Sequence, residues 1–333
     1  MSPVEGDLGG RRRGMALALI RRDNAVRIMI LVALVVAFAI ASKGITLVPD
    51  NIANVLVQSA IRGVAACGQA LVVLTAGLDL SVSGIVAVSL MAGGALLTDN
   101  PQYSMLGFSL TPLLVIPIML LIGTGFGLAN GILVARLRLP AIIVTLGTWQ
   151  IGIGLAYQVT GSGFVDRLPD TIAFIGQGEI LAIPFPIFVF FAVVAATWYL
   201  LHQTRLGMEI YAVGGNPRTA FISGVRVERV RIIVFAIAGF LYGIGAVIAM
   251  SRHLTSTMTQ AAGLELSTIA AVAIGGVSLA GGKGTIFGVL LGVLIIGVLD
   301  NGLSVMGVGP AGTAITKGAI IVAAVAVDVF RKT

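Results

Sequence analysis

The sequence predicts an all-α, polytopic membrane protein with about ten transmembrane helices, inverted repeats and both termini in the cytoplasm. Of its 333 residues, 57% are hydrophobic and 11% are charged, whereas soluble domains contain about 25% charged residues. Inside lipid the backbone must satisfy its own hydrogen bonds, as it does in helices. Because the sequence lacks the alternating apolar and polar residues of a membrane β-barrel, helices are the expected elements.

Ten segments are long and apolar enough to cross a bilayer, which takes about 20 mostly apolar residues. Residues 1–25 precede them as a polar cytoplasmic tail, and residues 26–333 are expected to form one transmembrane domain. The first segment lacks a small-residue cleavage pattern, so we expect it to be retained as a span. The ten segments are 26–42, 63–79, 82–98, 112–135, 141–158, 185–201, 232–250, 264–280, 285–301 and 312–330.

Basic residues concentrate in alternate loops, as the positive-inside rule requires of cytoplasmic loops. One such loop holds Arg136 and Arg138, the loop 202–231 holds five arginines, and Lys283 lies in a third. The intervening loops, predicted to lie outside, carry acidic residues such as Asp99. Residues 50–62 are expected to form a short amphipathic helix on the outer side.

The net charge of +7 does not indicate nucleic-acid binding, because the basic residues are scattered at the ends of apolar segments. That placement is typical of membrane loops. The single cysteine, Cys67, lies in an apolar run, and the two histidines, His202 and His253, are far apart in sequence. We therefore expect no disulfide, no metal site and no cofactor in this chain.

The glycine-rich run 274–285 is similar to a phosphate-binding loop only at first sight. In that motif the lysine and the hydroxyl residue follow the last glycine directly, whereas here Gly284 separates Lys283 from Thr285. We expect no nucleotide site in this chain, and the glycines are interpreted as sites of close helix packing or of a turn. Since no catalytic set such as Ser-His-Asp is found, a transport subunit is favoured over an enzyme.

A short pattern occurs twice along the chain. Asn130-Gly closes one predicted span and Pro140 opens the next, while Asn301-Gly closes another span and Pro310 precedes the last one. The two pairs of spans run in opposite directions, as in transporters built from inverted repeats. The alternative is that these residue types only mark the edges of loops.

The longest polar interruption, 202–231, is a predicted cytoplasmic coupling loop that meets a soluble partner. We expect a short helix over 214–225, lying along the inner membrane face, because Pro217 suits the first helical position and Gly224 suits the end. Ala220, Phe221 and Ser223 would offer a small contact surface. The predicted coupling residues are Gly214, Gly215, Asn216, Pro217, Ala220, Ser223 and Gly224.

Two sets of polar residues are candidates for a site inside the membrane. Asp79, followed by Ser81, is costly at membrane depth and therefore a functional candidate; the alternative is a cap that accepts backbone N–H bonds in a tight turn. The second set would line a path for a hydroxylated solute, or alternatively form bonds between helices worth about 1–2 kcal/mol or less. The predicted path residues are Asn130, Thr145, Thr148, Gln150 and Asn301.

Several motifs, taken in order, resemble the membrane permeases of bacterial carbohydrate ABC importers of the ribose, rhamnose and autoinducer-2 type, within the branched-chain amino acid and sugar permease superfamily. They run from Gly-Leu-Asp-Leu-Ser-Val to Asp-Asn-Gly-Leu, and the similarity extends from about residue 30 to the C-terminus. One departure is Ser83-Gly84, where the family has Gly-Ser or Gly-Ala. The motifs lie at 77–82, 130–131, 140–148, 211–216, 271–276, 281–285 and 300–303.

The resemblance implies an inner-membrane permease that carries a monosaccharide or small polyol from a periplasmic binding protein to the cytoplasm. It also implies a second permease copy or homologue, and a separate ATP-binding cassette ATPase at the coupling loop. An ion-coupled secondary transporter remains an alternative, with Asp79, Glu265 or Asp300 as its cation site. A membrane scaffold or intramembrane enzyme is a third reading, against which the lack of a soluble domain and of a catalytic set counts.

Overall fold

The computed structural model describes residues 24–161 and 163–330, and helices dominate it. The predicted tail, residues 1–25, lies almost wholly outside this range. Four two-residue strands lie in the loops: β1 (Phe164–Val165), β2 (Glu179–Ile180), β3 (Ile183–Pro184) and β4 (Ser256–Thr257). The helices of the described range are α1 (Asn24–Ala41), α2 (Pro49–Leu74), α3 (Val82–Leu97), α4 (Pro112–Ala135), α5 (Ala141–Thr160), α6 (Ala173–Gln177), α7 (Phe185–Gln203), α8 (Arg205–Gly215), α9 (Pro217–Ile222), α10 (Val227–His253), α11 (Leu264–Ile274), α12 (Ile286–Val305) and α13 (Pro310–Phe330).

Seven of these helices are long and apolar enough to cross a membrane: α1, α2, α4, α5, α7, α10 and α12. Helices α3 and α11 are apolar but shorter, and α13 has 21 residues. Each of the ten predicted spans therefore overlaps a helix. The prediction of an all-α, polytopic membrane protein is confirmed.

Two predicted boundaries are wrong, at α2 and α11. Helix α2 is continuous from Pro49 to Leu74, so residues 50–62 do not form a separate helix. The polar residues of its first half are accommodated because they have partners on α12: Arg62 pairs with Asp300, and Asn51 bonds to an asparagine. Helix α11 ends at 274 rather than 280, because two glycines follow and the second has φ +75°.

The loops predicted to lie inside meet at one end of the bundle. The amide of Gly282 donates to the carbonyl of Leu74 at 3.0 Å, and the hydroxyl of Tyr211 donates to the carbonyl of Gly284 at 3.0 Å. Chain segments that follow α2 and α11 are thus bonded to each other and to α8. The positive-inside rule had grouped the same segments on one side of the membrane.

The loops predicted to lie outside meet at the opposite end. Strand β1 pairs with β4 in an antiparallel ladder, and the hydroxyl of Thr98 donates to the carbonyl of Asp166 at 2.7 Å. The side-chain amide of Gln177 donates to the carbonyl of Arg252 at 2.9 Å. Backbone atoms take part in all of these contacts, which join the loops after α3, α5 and α10.

Helix α3 is buried along its whole length, and glycines let its neighbours approach closely. A Cβ added at Gly84 of α3 would lie 2.5 Å from the carbonyl oxygen of Trp149 on α5. On α4, Gly123, Gly127 and Gly131 face α10, and a Cβ at Gly127 would collide with the carbonyl oxygen of Phe235. Small residues four apart are the usual means by which membrane helices bring their backbones together.

We predict that Gly127→Ala destabilises the protein by about 1–3 kcal/mol, since the added methyl group would push α4 away from α10. The matched control is Gly125→Ala on the same helix, where an added Cβ has open space around it. That control should be neutral or slightly stabilising, because alanine favours a helix over glycine. Thermal melting of both variants in the same detergent measures the difference, and equal melting temperatures would contradict the proposed packing role.

Candidate functional site

A buried polar network occupies the break between α2 and α3. Asp79 lies in this break and is 1% exposed. Its Oδ1 accepts hydrogen bonds from the amide of Ser81 at 2.8 Å and from the Ser81 hydroxyl. Its Oδ2 accepts a hydrogen bond from the hydroxyl of Tyr242 on α10 at 3.1 Å. The carboxylate therefore caps a local turn and also ties that turn to a distant helix.

The network extends to α2 and α4. The hydroxyl of Tyr242 lies 3.3 Å from Gln69 Oε1 on α2, and Asn130 Nδ2 on α4 donates to the Ser81 hydroxyl at 2.9 Å. Two amide atoms, Gln69 Nε2 and Asn130 Oδ1, are buried without a partner among the described residues. The network thus contains one donor group, Gln69 Nε2, and one acceptor atom, Asn130 Oδ1, without a hydrogen-bond partner among these residues.

The two threonines of the predicted path lie beside this network, within a single chain. Thr145 and Thr148 are 0% and 8% exposed, and their hydroxyls donate to carbonyl groups one turn earlier on α5 at 2.8 and 3.1 Å. Thr145 also lies 3.3 Å from the carbonyl of Leu78. Asn130, on α4, is buried as well. In this conformation the three residues do not line an open surface.

The other two path residues have different surroundings. Gln150 is exposed on the outer face of α5. Asn301 on α12 exchanges two amide hydrogen bonds with Asn51 on α2, at 2.9 and 2.8 Å. Asn301 therefore lies apart from the Asp79 network and joins α12 to α2.

A second charged cluster joins α2, α12 and α13. The carboxylate of Asp300 pairs with Arg62 and, at 3.0 Å, with Lys317. Its side chain is 7% exposed. Asp300 is thus held by two cations and Asp79 by three donors, which counts against either of them as the cation site of the ion-coupled alternative. The third candidate, Glu265, differs, because its Oε2 is buried without a hydrogen-bond partner among the described residues.

The predicted coupling helix is present as α9, outside the spans. Its N-terminus is capped by Asn216, whose side-chain oxygen accepts hydrogen bonds from the amides of Arg218 and Thr219 at 3.0 Å each. Pro217 occupies the first turn. Gly224 follows with φ +85°, a conformation that ends the helix.

Two details of the coupling prediction are wrong. Gly214 and Gly215 do not begin this helix but end α8. Ala220 is 4% exposed and packs inward, so it offers no contact surface. The apolar surface of α9 consists of Phe221, which was predicted to be exposed, and Ile222, which was not; they are 71% and 76% exposed.

Helix α8 ends against both inner chain segments. A Cβ at Gly214 would collide with the carbonyl oxygen of Leu74 and lie 2.5 Å from the amide nitrogen of Gly282. On the same helix, Tyr211 bonds to the carbonyl of Gly284. Burial raises the pKa of this tyrosine, so its hydroxyl keeps the proton that it donates. Helix α8 is thus in direct backbone contact with the end of α2 and with the segment after α11.

The sequence contains one further repeat, which was not predicted. Gly-Leu-Asp-Leu-Ser at 77–81 precedes the short helix α3, and Gly-Leu-Glu-Leu-Ser at 263–267 begins the short helix α11. Asp79 and Glu265 are therefore equivalent in the repeat. In each case a long helix, α2 or α10, comes before the motif and another long helix follows. A search of the sequence for five-residue matches would have found this repeat.

Tyr242, a member of the polar network, was not predicted. It lies in an apolar run, and its only signal in the sequence is that a buried tyrosine hydroxyl needs a hydrogen-bond partner.

We predict that Tyr242→Phe lowers stability by about 1–3 kcal/mol, because it leaves a buried oxygen of Asp79 without its hydrogen-bond partner. The ring is kept, so only the hydroxyl bonded to Asp79 is lost. The control is Tyr199→Phe, since Tyr199 is exposed on α7. Detergent melting curves compare the two variants, and an unchanged melting temperature for Tyr242→Phe would show that the hydroxyl does not hold Asp79 in place.

Comparison with known proteins gives one consistent family. The chain is 37% identical over 326 residues to the ribose import permease protein RbsC of Escherichia coli strain K12, covering 96% of this chain and 97% of that one. It is 39% identical over 289 residues to the ribose import permease protein RbsC of Haemophilus influenzae, with 85% and 86% covered. The galactose/methyl galactoside import permease protein MglC of Salmonella typhimurium is 36% identical over 291 residues, with 84% and 87% covered.

No solved structure matches the chain significantly. A family model described as "Branched-chain amino acid transport system / permease component" matches residues 51–325. The match begins within α2 and ends within α13, so it includes the polar network, the coupling region and both short helices. Together with the relatives, it shows that this multi-pass membrane chain belongs to the branched-chain amino acid transport system/permease component family.

Proposed function

We propose that the chain is the permease of an ATP-driven importer that carries a monosaccharide or similar small polyol into the cytoplasm. Its relatives are named as ribose and galactose import permeases. The observation that carries the proposal is the capped helix α9, which presents Phe221 and Ile222 at the inner end of the bundle. Two large apolar side chains exposed together on a short helix are typical of a protein contact.

The energy for transport is proposed to come from a separate ATPase that binds α9. Movement of α9 would pass to α8, whose last residues touch Leu74 and Gly282 directly. Leu74 ends α2 immediately before the break that holds Asp79. A displacement of α8 would therefore reach the polar network through backbone contacts, without crossing flexible side chains.

A polar path along α5 and a second permease copy are part of the proposal. Gln150 is exposed near the middle of α5, where contact of its amide with lipid would be unfavourable. A water-filled path or another copy of the chain against this face would remove that cost. A periplasmic binding protein would deliver the sugar at the outer end, where the loops after α3, α5 and α10 meet.

Reconstitution tests the function directly. The permease in vesicles should take up labelled ribose or galactose only when ATP, an ATPase subunit and a binding protein are present together. Uptake by the chain alone, driven by a proton or sodium gradient, would overturn the proposal and support the ion-coupled alternative.

For docking, we predict that Phe221→Ala weakens binding of the ATPase at least about 30-fold, as truncation of an aromatic interface residue often costs about 2 kcal/mol or more. Uptake should fall in parallel. Phe191→Ala is the control, because Phe191 is also exposed but lies on the span α7. If Phe221→Ala binds the ATPase and transports as the unchanged protein does, the contact lies elsewhere.

For transmission, we predict that Gly214→Ala abolishes ATP-driven uptake while the ATPase still binds. The added methyl group would separate α8 from Leu74 and leave α9 intact. Gly215→Ala is the matched control, since an added Cβ there meets nothing within 4 Å. ATPase binding, uptake and melting temperature are measured on both variants, and normal uptake by Gly214→Ala at unchanged stability would contradict the transmission route.

A further inference from the structure

A groove at the inner end of the bundle is lined by arginines. It has a volume of about 1130 Å³ and lies between the end of α4, the loop to α5, helix α9 and the start of α10. Glu228 is its one acidic lining residue. The six basic lining residues are Arg136, Arg138, Arg218, Arg226, Arg229 and Arg231.

These arginines have no ion-pair partner among the described residues. The ion pairs found among the described residues involve other basic residues, namely Arg62, Arg205 and Lys317. Six positive charges around one space repel one another, so a groove of this kind is stabilised by an anion. The chain's own tail does not suit the role, because residues 1–23 carry five arginines against three acidic residues.

The floor of the groove is apolar and lies at the end of two membrane helices. Val134 from α4 and Ile232 from α10 line it, together with Leu139 from the loop. Leu139 and the neighbouring Leu137 are 43% and 61% exposed. An occupant must therefore place negative charge among the arginines and apolar groups against the ends of the spans.

We propose that the groove binds the head group of an anionic phospholipid of the cytoplasmic leaflet, preferably one with two phosphates. Guanidinium groups form paired hydrogen bonds with phosphate oxygens. Basic pockets between membrane helices on the cytoplasmic side are known to hold such head groups. The acyl chains would continue along the apolar surfaces of α4 and α10. The site adjoins the exposed face of α9, because Phe221 of that face also lines the groove, and the proposal adds a lipid to the partners of the permease.

The test is lipid binding by the full chain, purified and stripped of lipid, measured by native mass spectrometry. Titration with cardiolipin, phosphatidylglycerol and phosphatidylcholine should give decreasing affinity in that order. Arg229→Gln should weaken cardiolipin binding about fivefold, and the triple variant Arg136→Gln, Arg138→Gln, Arg229→Gln about a hundredfold. Arg205→Gln is the control, because Arg205 lies on α8 outside the groove and pairs with Glu209; its affinity should not change.

Three results would overturn the proposal. Equal binding of phosphatidylcholine and cardiolipin would remove the role of the phosphates, and equal affinity for free pyrophosphate would assign the groove to a soluble anion. Unchanged cardiolipin binding by the triple variant, with weakened binding of the ATPase subunit, would make the groove a protein interface. Melting temperatures guard against misfolding, and the single variant Arg229→Gln supplies the comparison if the triple variant is unstable.

Discussion

The central constraint on this protein is that buried backbone outside helices must find hydrogen-bond partners within the chain. Helices α2 and α11 both stop, and residues 75–81 and 275–285 then run without regular structure. In the first segment, Asp79 accepts hydrogen bonds from the amide and the hydroxyl of Ser81. In the second segment, the amide of Gly282 donates to the carbonyl of Leu74 at the end of α2. Two interrupted helices are thus bonded to each other, and α8 touches both.

Local signals allowed the capped helix α9 to be predicted, because Asn216, Pro217 and Gly224 act within a few residues of one another. For Asp79, the nearby residues allowed two interpretations, a functional carboxylate or a cap in a tight turn. The predictions that failed concern residues whose structure depends on distant partners. Helix α2 extends through Arg62 only because Asp300 on α12 neutralises this arginine, and no local pattern reveals that pairing. Ala220 was assigned to the wrong face for a similar reason, since its burial depends on how α9 packs on the bundle. Thr145 and Thr148, three residues apart, share one face of α5, and only the packing of the helices shows that this face is turned toward α3.

The two buried carboxyl groups are stabilised in different ways. Asp79, in the polar network, is surrounded by neutral hydrogen-bond donors. Asp300, in the second cluster, is shared by two cations. Breaking a buried pair by removing one partner leaves an uncompensated charge, which is usually more costly than the pair is stabilising. Asp300 therefore fixes which helices lie together, α2 with α12 and α13, more than it adds to stability. The six arginines of the groove lie at the inner surface, where solvent and lipid phosphates can reach them.

The contacts at the two ends of the protein constrain the amino-acid sequence in two ways. The hydrogen bonds of β1 and β4 join peptide groups, which are present whatever side chains they carry. Two other contacts require the absence of a side chain. One is at Gly214, and the other is at Gly176 at the opposite end, where a Cβ would collide with the amide nitrogen of Arg252. Each end of the bundle is therefore held at a point that admits only glycine, because of what lies next to it rather than because of its backbone conformation.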